Sequence, residues 1–111
     1  MEQITWEDFI KVEFKIGEIV EAKNVEKSEK LIRMVVDFGE FGKKVVFSGI
    51  RKYYQPEELL NKKTLFVMNM VPKKIMGEES EAMIFGASTA DNDKMSILLL
   101  EKDLPNGSEG Y

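Results

Sequence analysis

The side chains best suited to chemistry lie in the segment MVPKKIMGEESEAM, residues 70–83. Lys73 and Lys74 follow a proline, a glycine stands three residues after them, and three of the next four positions are carboxylates. Lysines neutralise phosphate groups and release counterions, which gives affinity for a polyanion without reading its sequence. The proline stiffens one end of the segment and the glycine permits a turn at the other. We therefore predict a loop that binds a phosphate backbone.

Catalytic chemistry has little support in the composition. The 111 residues contain no His and no Cys. Their absence removes the commonest acid–base group, the commonest transition-metal ligand and all thiol or disulfide chemistry. The chain also has no Walker loop and no dinucleotide-binding glycine pattern. We expect a binding module rather than an enzyme, with no cofactor and no metal ion.

The charge is distributed unevenly along the chain. The net charge is −4, yet residues 43–74 carry eight basic and two acidic side chains, whereas the segments before and after them are acidic. A basic segment within an acidic protein can form a local positive face that steers a polyanion. The alternative is that the pairs Lys43–Lys44 and Lys62–Lys63 are solvated turn lysines, which is the default reading of charge clustering alone.

Length and hydropathy indicate one domain over residues 1–111. A chain of this length buries roughly two-thirds of its unfolded surface, and no apolar run approaches the ~20 residues that span a bilayer. The N-terminal residues MEQITWEDFI carry acids where a signal peptide has a basic region. We expect a cytoplasmic protein without membrane contact.

Apolar spacing predicts a β protein with two short helices. A capping-box pattern at Thr5 marks the start of the first helix, and Pro56 followed by two acids marks the second. Period-two alternation predicts most of the strands, and Gly17 suggests a bulge or sharp bend in the first. The predicted elements are a helix over 5–11, strands over 12–22, 32–38 and 44–48, a helix within 51–60, and strands over 64–70, 82–87 and 96–100.

The first five of these strands, through 82–87, with a short helix between the third and the fourth, have the order of an OB-fold, an all-β, partly open five-stranded barrel. The pattern alone does not separate an OB-fold from another small barrel. In the OB topology the loops after strands one and four lie beside the binding face, and these are residues 23–30 and the 70–83 segment. Lys73 and Lys74 are then expected on a binding loop.

Three stretches of the chain resemble successive blocks of the EMAP II-like tRNA-binding domain: KVEFKIGEIVEAKNVEKSEKL, VVFSGIRKYYQPEELLNKK and NMVPKKIMGEESEAM. The resemblance covers nearly the whole chain. It implies an OB-fold, tRNA as the ligand and a homodimer, with an aminoacyl-tRNA synthetase as a further candidate partner. The family includes free-standing tRNA-binding proteins and domains of methionyl- and phenylalanyl-tRNA synthetases.

The same family contains the CsaA group of secretion-associated chaperones, which provides an alternative function. Val71 and Met76 stand where tRNA-binding members commonly carry lysine and arginine. Members of the CsaA group tend to lack those two basic residues, and LPNGS at 104–108 resembles their C-terminal ending. Binding of unfolded polypeptide is therefore the alternative that the resemblance leaves open.

The resemblance and the charges together nominate ten RNA-binding residues. Basic side chains would position the RNA backbone. Asn69 and Ser80 would either hydrogen-bond a base or a 2′-hydroxyl, or satisfy backbone groups of their own loop. Phe47, Tyr53 and Tyr54 are stacking candidates, although a core or interface role comes first for them. The ten residues are Lys30, Arg33, Ser48, Arg51, Lys52, Asn69, Lys73, Lys74, Ser80 and Met83.

Three further expectations concern the surface. Lys23 and Lys27 are expected to lie further from the binding face. The carboxylates that follow Gly77 would pair with neighbouring lysines or face away from the RNA. The apolar excess of residues 64–70 and 97–100 is large for so small a barrel, and an exposed apolar patch of this kind usually marks an interface, which again predicts a homodimer.

Overall fold

A computed structural model describes residues 1–111. It contains two single-turn helices, α1 (Trp6–Phe9) and α2 (Pro56–Leu59), and a 3-10 turn at Gly39–Phe41. Neither helix, at four residues each, has the length needed to cross a bilayer. The strands are β1 (Phe14–Asn24), β2 (Ile32–Asp37), β3 (Lys43–Ser48), β4 (Lys63–Val67), β5 (Lys73–Ile75), β6 (Glu78–Ser80), β7 (Met83–Ile84), β8 (Gly86–Ser88), β9 (Met95–Ile97) and β10 (Glu109–Gly110).

The main sheet is antiparallel in the order β3-β2-β1-β4-β7, and β10 pairs with the start of β1. β1 is the longest strand, with 11 residues, and it serves two neighbours. Its first half pairs with β4, from Phe14 opposite Val67 to Glu18 opposite Lys63, and its second half pairs with β2. A long strand shared in this way lets the sheet curl into a partly open barrel. This is the all-β OB-fold architecture that the order of elements predicts.

The core lies inside the curl of the sheet. Ile32, Met34, Val36 and Phe38 alternate along the chain and have no solvent exposure, which confirms the period-two pattern predicted for this strand. Phe38 meets Phe66 edge to face, with 5.2 Å between ring centroids, a geometry that aromatic pairs favour. The intervening side chains of the same strands point outward and are free to form a second surface.

The bulge predicted at Gly17 lies elsewhere. Gly17 is regularly paired with Thr64, and the register of β1 against β2 shifts instead between Ile19 and Glu21. Gly17 is needed for packing, because a Cβ atom there would stand 2.5 Å from Val36 Cγ1 and as close to the ring of the neighbouring Phe38. The absence of a side chain at this position lets the second strand close onto the first.

Both predicted helix starts are confirmed, although α1 is shorter than predicted. Thr5 Oγ1 accepts a hydrogen bond from Asp8 N at 3.1 Å. At α2 Glu58 Oε1 accepts from Gln55 N at 2.7 Å, and Glu58 N donates to the Gln55 carbonyl at 3.0 Å. Pro56 stands in the first turn, where a residue without an N–H leaves no helix donor unpaired.

The 70–83 segment is not the open loop that the sequence predicts. Its two halves pair as β5 and β6, with Lys73 opposite Ser80. The turn residues Met76 and Gly77 have φ values of 51° and 85°, which is typical of the two-residue type I′ turn that suits a hairpin. Asn-Gly is the usual sequence for this turn, so Met-Gly gave no clear hairpin signal.

The C-terminal strands also differ from the prediction. The strand predicted over 82–87 divides into β7, which stays on the main sheet, and β8, which leaves it and pairs with β9. β9 ends at Ile97 rather than at residue 100. β4 ends at Val67 rather than at residue 70. After β7, the chain therefore forms a small separate ribbon, β8–β9, before β10 returns to the main sheet.

Gly17→Ala should destabilise the protein by about 1 to 3 kcal/mol, as expected for overpacking of a fully buried site. Gly49→Ala is the matched control, because the nearest atom to a Cβ there is Lys30 O at 4.0 Å. That variant should change stability by less than about 0.5 kcal/mol. Urea unfolding midpoints at constant slope measure both effects. Equal midpoints for the two variants would contradict the packing role of Gly17.

Candidate nucleic-acid interface

The barrel has an open seam beside β3. Glu81 N donates a backbone hydrogen bond to Val45 O at 2.9 Å. The backbone N–H groups of β3 on this edge, in contrast, donate to side chains. Val45 N donates to Glu81 Oε2 at 2.8 Å, and Phe47 N donates to Ser80 Oγ at 3.0 Å. These bonds fix the base of the β5–β6 hairpin against β3, so that the hairpin stands beside the outer face of β2 and β3.

Two neighbouring grooves flank the hairpin. The larger groove, about 640 Å³, lies between the hairpin and the chain that leaves β1, and the smaller groove, about 290 Å³, lies between the hairpin and the end of β3. Phe47 and Ile75 line both grooves and form the wall between them. The larger groove is also lined by Lys23, Asn24, Val25, Glu26, Lys27, Arg33, Met76 and Glu78. The smaller groove is also lined by Leu31, Ser48, Gly49, Met70, Val71, Lys73, Ser80, Ala82 and Met83.

A row of three side chains crosses the outer face of the sheet. In the strand register Lys23 of β1 lies opposite Arg33 of β2, and Arg33 lies opposite Phe47 of β3. Directly opposite residues in antiparallel strands project from the same face and contact each other. The inward neighbours Met34 and Val46 are fully buried, so this row faces the larger groove. We call Lys23, Arg33 and Phe47 the outer row.

Arg33 forms a bidentate ion pair with Glu78 at the end of the hairpin. Arg33 Nε and Nη2 donate to Glu78 Oε1 and Oε2, each at 2.8 Å. These hydrogen bonds lower the pKa of the Glu78 carboxyl below its ordinary value and raise the pKa of the Arg33 guanidinium. The pair remains partly open to solvent, with side-chain exposures of 24% and 42%. Glu78 therefore pairs with an arginine, where the sequence suggested a neighbouring lysine.

The two adjacent lysines of the hairpin point to opposite sides. Lys73 lies opposite Ser80 and lines the smaller groove, whereas Lys74 lies opposite Glu79 and lines neither groove. This separation follows from the period-two geometry of a strand, which replaced the predicted loop. Lys73 is therefore placed to meet a ligand in the groove, and Lys74 faces the acidic residue across the hairpin.

Three other residues predicted for the site lie beside the grooves. Ser48 and Met83 line the smaller groove, and Met83 is 47% exposed. Lys30 has an exposed side chain, and its carbonyl accepts from Arg51 N at 3.2 Å. It therefore stands on the connection between β1 and β2, next to Leu31 of the smaller groove. The role of these three residues in ligand contact stays a prediction.

The side chains of Asn69, Arg51 and Lys52 have other contacts. Asn69 Oδ1 accepts from Glu13 N at 2.8 Å, and its Nδ2 donates to Lys11 O, so the amide joins the end of β4 to the chain before β1. Arg51 Nη1 donates to two carbonyls of the β1–β2 connection. Lys52 Nζ donates to Asn92 O at 3.4 Å, on the β8–β9 ribbon. None of the three lines a groove.

Ser80 has a structural contact as well as a place in the groove. Its hydroxyl accepts from Phe47 N and lies 3.5 Å from Ala82 O. The alternative that the sequence left open for Asn69 and Ser80, namely satisfaction of backbone groups, is therefore what their hydrogen bonds show. Ser80 also lines the smaller groove, whereas Asn69 does not line that groove.

Sequence reasoning missed Lys23 and Lys27, which were expected further from the face but line the larger groove with Arg33. Extending the first strand two residues beyond the predicted end at 22 would have paired Lys23 with β2. Asn24 was also missed; its Oδ1 is buried without a hydrogen-bond partner in the same groove wall.

No group of three or more acidic side chains is close enough to hold a metal ion.

A protein-family model and curated relatives both match nearly the whole chain. A protein-family model described as "Putative tRNA binding domain" matches residues 14–109. Methionine–tRNA ligase of Caldanaerobacter subterraneus subsp. tengcongensis is 45% identical over 98% of this chain and 17% of the ligase, and that of Methanocaldococcus jannaschii is 40% identical over 98% and 16%. The chain thus spans about a sixth of the length of these curated relatives.

Two solved structures share the fold over their full length. A MetRS related protein from Pyrococcus horikoshii superposes with a TM-score of 0.93 at 34% identity, covering 100% of both chains. The chaperone CsaA from Bacillus anthracis str. Ames superposes with a TM-score of 0.88 at 31% identity, covering 99% of this chain and 100% of that one.

The Arg33–Glu78 pair predicts an acid shift in the titration of Glu78. A carboxyl whose pKa is lowered by folding contributes stability above its unfolded pKa, and this contribution is lost as pH falls through the folded value. In an NMR titration of side-chain carboxyls, Glu78 should titrate below its ordinary range, and Arg33→Gln should move the midpoint upward. An unchanged midpoint in Arg33→Gln would contradict the pairing in solution.

Proposed function

The chain belongs to the tRNA-binding domain family, and we propose that it binds tRNA, as one domain over residues 1–111, in the two grooves beside the β5–β6 hairpin. Binding is directed mainly at the sugar–phosphate backbone and the shape of the RNA, so it depends little on the tRNA sequence. The observation that carries this proposal is the outer row, because it sets two cations and an aromatic ring on one face of a protein whose net charge is −4.

The groove walls suit an exposed single-stranded part of the RNA. Phe47 lies between the two grooves, where an unstacked base can pack on its ring. Phosphates on either side of that base can then reach Lys73 in one groove and Arg33 in the other. Asn24 lines the larger groove, and its buried amide must rotate outward before it can bind a 2′-hydroxyl, the group by which proteins distinguish RNA from DNA.

A homodimer is part of this proposal. Two apolar residues of β4 that were expected to be surplus, Phe66 and Val67, are buried within the monomer. Leu98 and Leu99 in the other predicted segment are 45% and 59% exposed, and such exposed apolar side chains are typical of an interface. A two-fold pair would present two sets of grooves to one tRNA and raise the avidity.

An aminoacyl-tRNA synthetase is the further partner that we propose. Methionine–tRNA ligases contain a region of about 109 residues that is 40 to 45% identical to this chain. The corresponding region of those proteins is thus attached to a synthetase. We propose that this chain serves as an accessory tRNA-binding module for such an enzyme.

Binding of unfolded polypeptide is the second candidate, and one observation favours it. The rim of the smaller groove exposes Met70, Val71 and Met83, with Val71 89% exposed. Methionine side chains adapt to varied apolar partners and recur on promiscuous binding surfaces. The structural similarity to CsaA, a chaperone by its description, fits the same reading.

Titration of total tRNA and of an unfolded polypeptide in one buffer separates the two candidates. We expect tighter binding of tRNA, with log affinity falling linearly as log salt rises. Lys73→Ala should flatten this slope by roughly 0.7 to 0.9, the value for one phosphate contact. Lys74→Ala removes the same charge from the opposite side of the hairpin and should change the slope less. Tighter binding of polypeptide, with a tRNA slope that neither variant alters, would favour the chaperone reading.

The homodimer is tested by light scattering at micromolar concentration. We expect a mass twice that of one chain, unchanged by Lys73→Ala because Lys73 lies in the groove and not in the exposed 98–99 segment. Leu99→Lys should shift the mass toward the monomer, since a charged group in an apolar interface is costly. A monomer mass for the parent protein would contradict the dimer.

A further inference from the structure

We propose that Glu78 competes with RNA phosphate for Arg33, so that it acts as a built-in gate on the larger groove and sets its selectivity for polyanions. This inference rests on the tRNA binding proposed above. It assigns a role to a residue that carries the same negative charge as the ligand, at the point where the groove would otherwise offer Arg33 to a phosphate.

The contact geometry places the carboxylate where a phosphate would bind. Glu78 accepts two parallel hydrogen bonds, from Arg33 Nε and Nη2, both at 2.8 Å. A phosphate group uses the same edge of a guanidinium in the same two-point manner. One edge cannot hold both anions, so a phosphate must displace Glu78 before it can take these donors.

The surrounding charges favour an incoming anion once Glu78 has left. Lys23 lies opposite Arg33 across β1 and β2, and Lys27 lines the same groove. Glu21 is close enough to influence Arg33 but lies two pairs further along the strands, opposite Val35. With Glu78 in place the groove lining contains one neutralised arginine, two lysines and the carboxylate of Glu26. With Glu78 displaced it contains three cations against the single carboxylate of Glu26, so its net charge is positive.

The hairpin that carries Glu78 can move without unfolding the barrel. β5 and β6 form a separate two-stranded sheet with three paired positions, and an isolated two-stranded hairpin is only marginally stable. Its base is attached to β3 through Ser80 and Glu81, whereas Glu78 is next to the Met76–Gly77 turn. The ion pair with Arg33 is therefore the polar contact that holds the turn end over the groove.

Selectivity follows from the need to displace a carboxylate. A tRNA offers many phosphates at once and repays the lost ion pair with several contacts, whereas a neutral or singly charged ligand does not. The half-exposed position of the pair, with exposures of 24% and 42%, keeps its strength modest. Glu78 would thus weaken binding of every anion that uses these Arg33 donors, and least in proportion for a polyanion.

The test compares Glu78→Gln with Glu79→Gln. Both variants remove one negative charge from the hairpin, but Glu79 lies opposite Lys74 and outside the grooves, so it controls for net charge. Glu78→Gln should raise tRNA affinity roughly five- to tenfold at low salt and steepen the salt slope by about 0.7 to 0.9. Glu79→Gln should change affinity less than twofold. Arg33→Gln in the Glu78→Gln background should abolish the gain.

Equal gains in the two glutamine variants would overturn the gate, because net charge alone would explain them. A loss of affinity in Glu78→Gln would also overturn it, since the pair would then serve only to hold the hairpin in a binding shape. A gain that survives removal of Arg33 would place the effect elsewhere.

A measurement without RNA separates this inference from the proposed function. Inorganic pyrophosphate is added while the Arg33 Nε–H signal is followed by NMR. The signal should shift at lower pyrophosphate concentration in Glu78→Gln than in the parent or in Glu79→Gln. If the parent protein fails to bind tRNA but this difference is seen, the tRNA proposal fails and the gate stands. If all three proteins respond alike, the gate fails whatever the result with tRNA.

Discussion

The architecture depends on how the unpaired edge of β3 is satisfied. A curled sheet that lacks a full closing ladder leaves backbone donors at its edge, and such donors need acceptors wherever water does not reach them. Ser80 Oγ and Glu81 Oε2 supply them for Phe47 N and Val45 N. Because side chains make these bonds, residues 80–81 are attached beside β3 without covering its outer face. This attachment fixes the position of the β5–β6 hairpin and of the two grooves beside it.

The strands of the barrel serve two surfaces at once. Along β2 and β3 the inward side chains, such as Met34 and Val46, fill a core that is fully buried, while the outward Arg33 and Phe47 form the candidate binding face. A shift of one residue in register would exchange the two sets. The core therefore fixes the register, and the register fixes which cations meet a ligand.

The fold by itself does not decide between tRNA and polypeptide, because related structures are described both as a MetRS related protein and as a chaperone. The chemistry of the grooves is more informative. The three carboxylates after Gly77 have different surroundings: Glu78 holds Arg33, Glu79 faces Lys74, and Glu81 accepts from Val45 N. The acidic run is thus divided among separate contacts and does not form a single negative surface opposed to RNA.

The sequence by itself determined the OB order of elements, the alternating core of β2, the cap at Thr5 and the helix start at Pro56, because each of these depends on neighbours within a few residues. Tertiary structure decided the rest. Arg33 meets Glu78 across 45 residues and Asn69 meets Glu13 across 56, and no local pattern encodes such partners. The hairpin at Met76–Gly77, the separation of Lys73 from Lys74 and the position of Lys23 beside Arg33 all follow from strand pairing, which only the folded chain specifies.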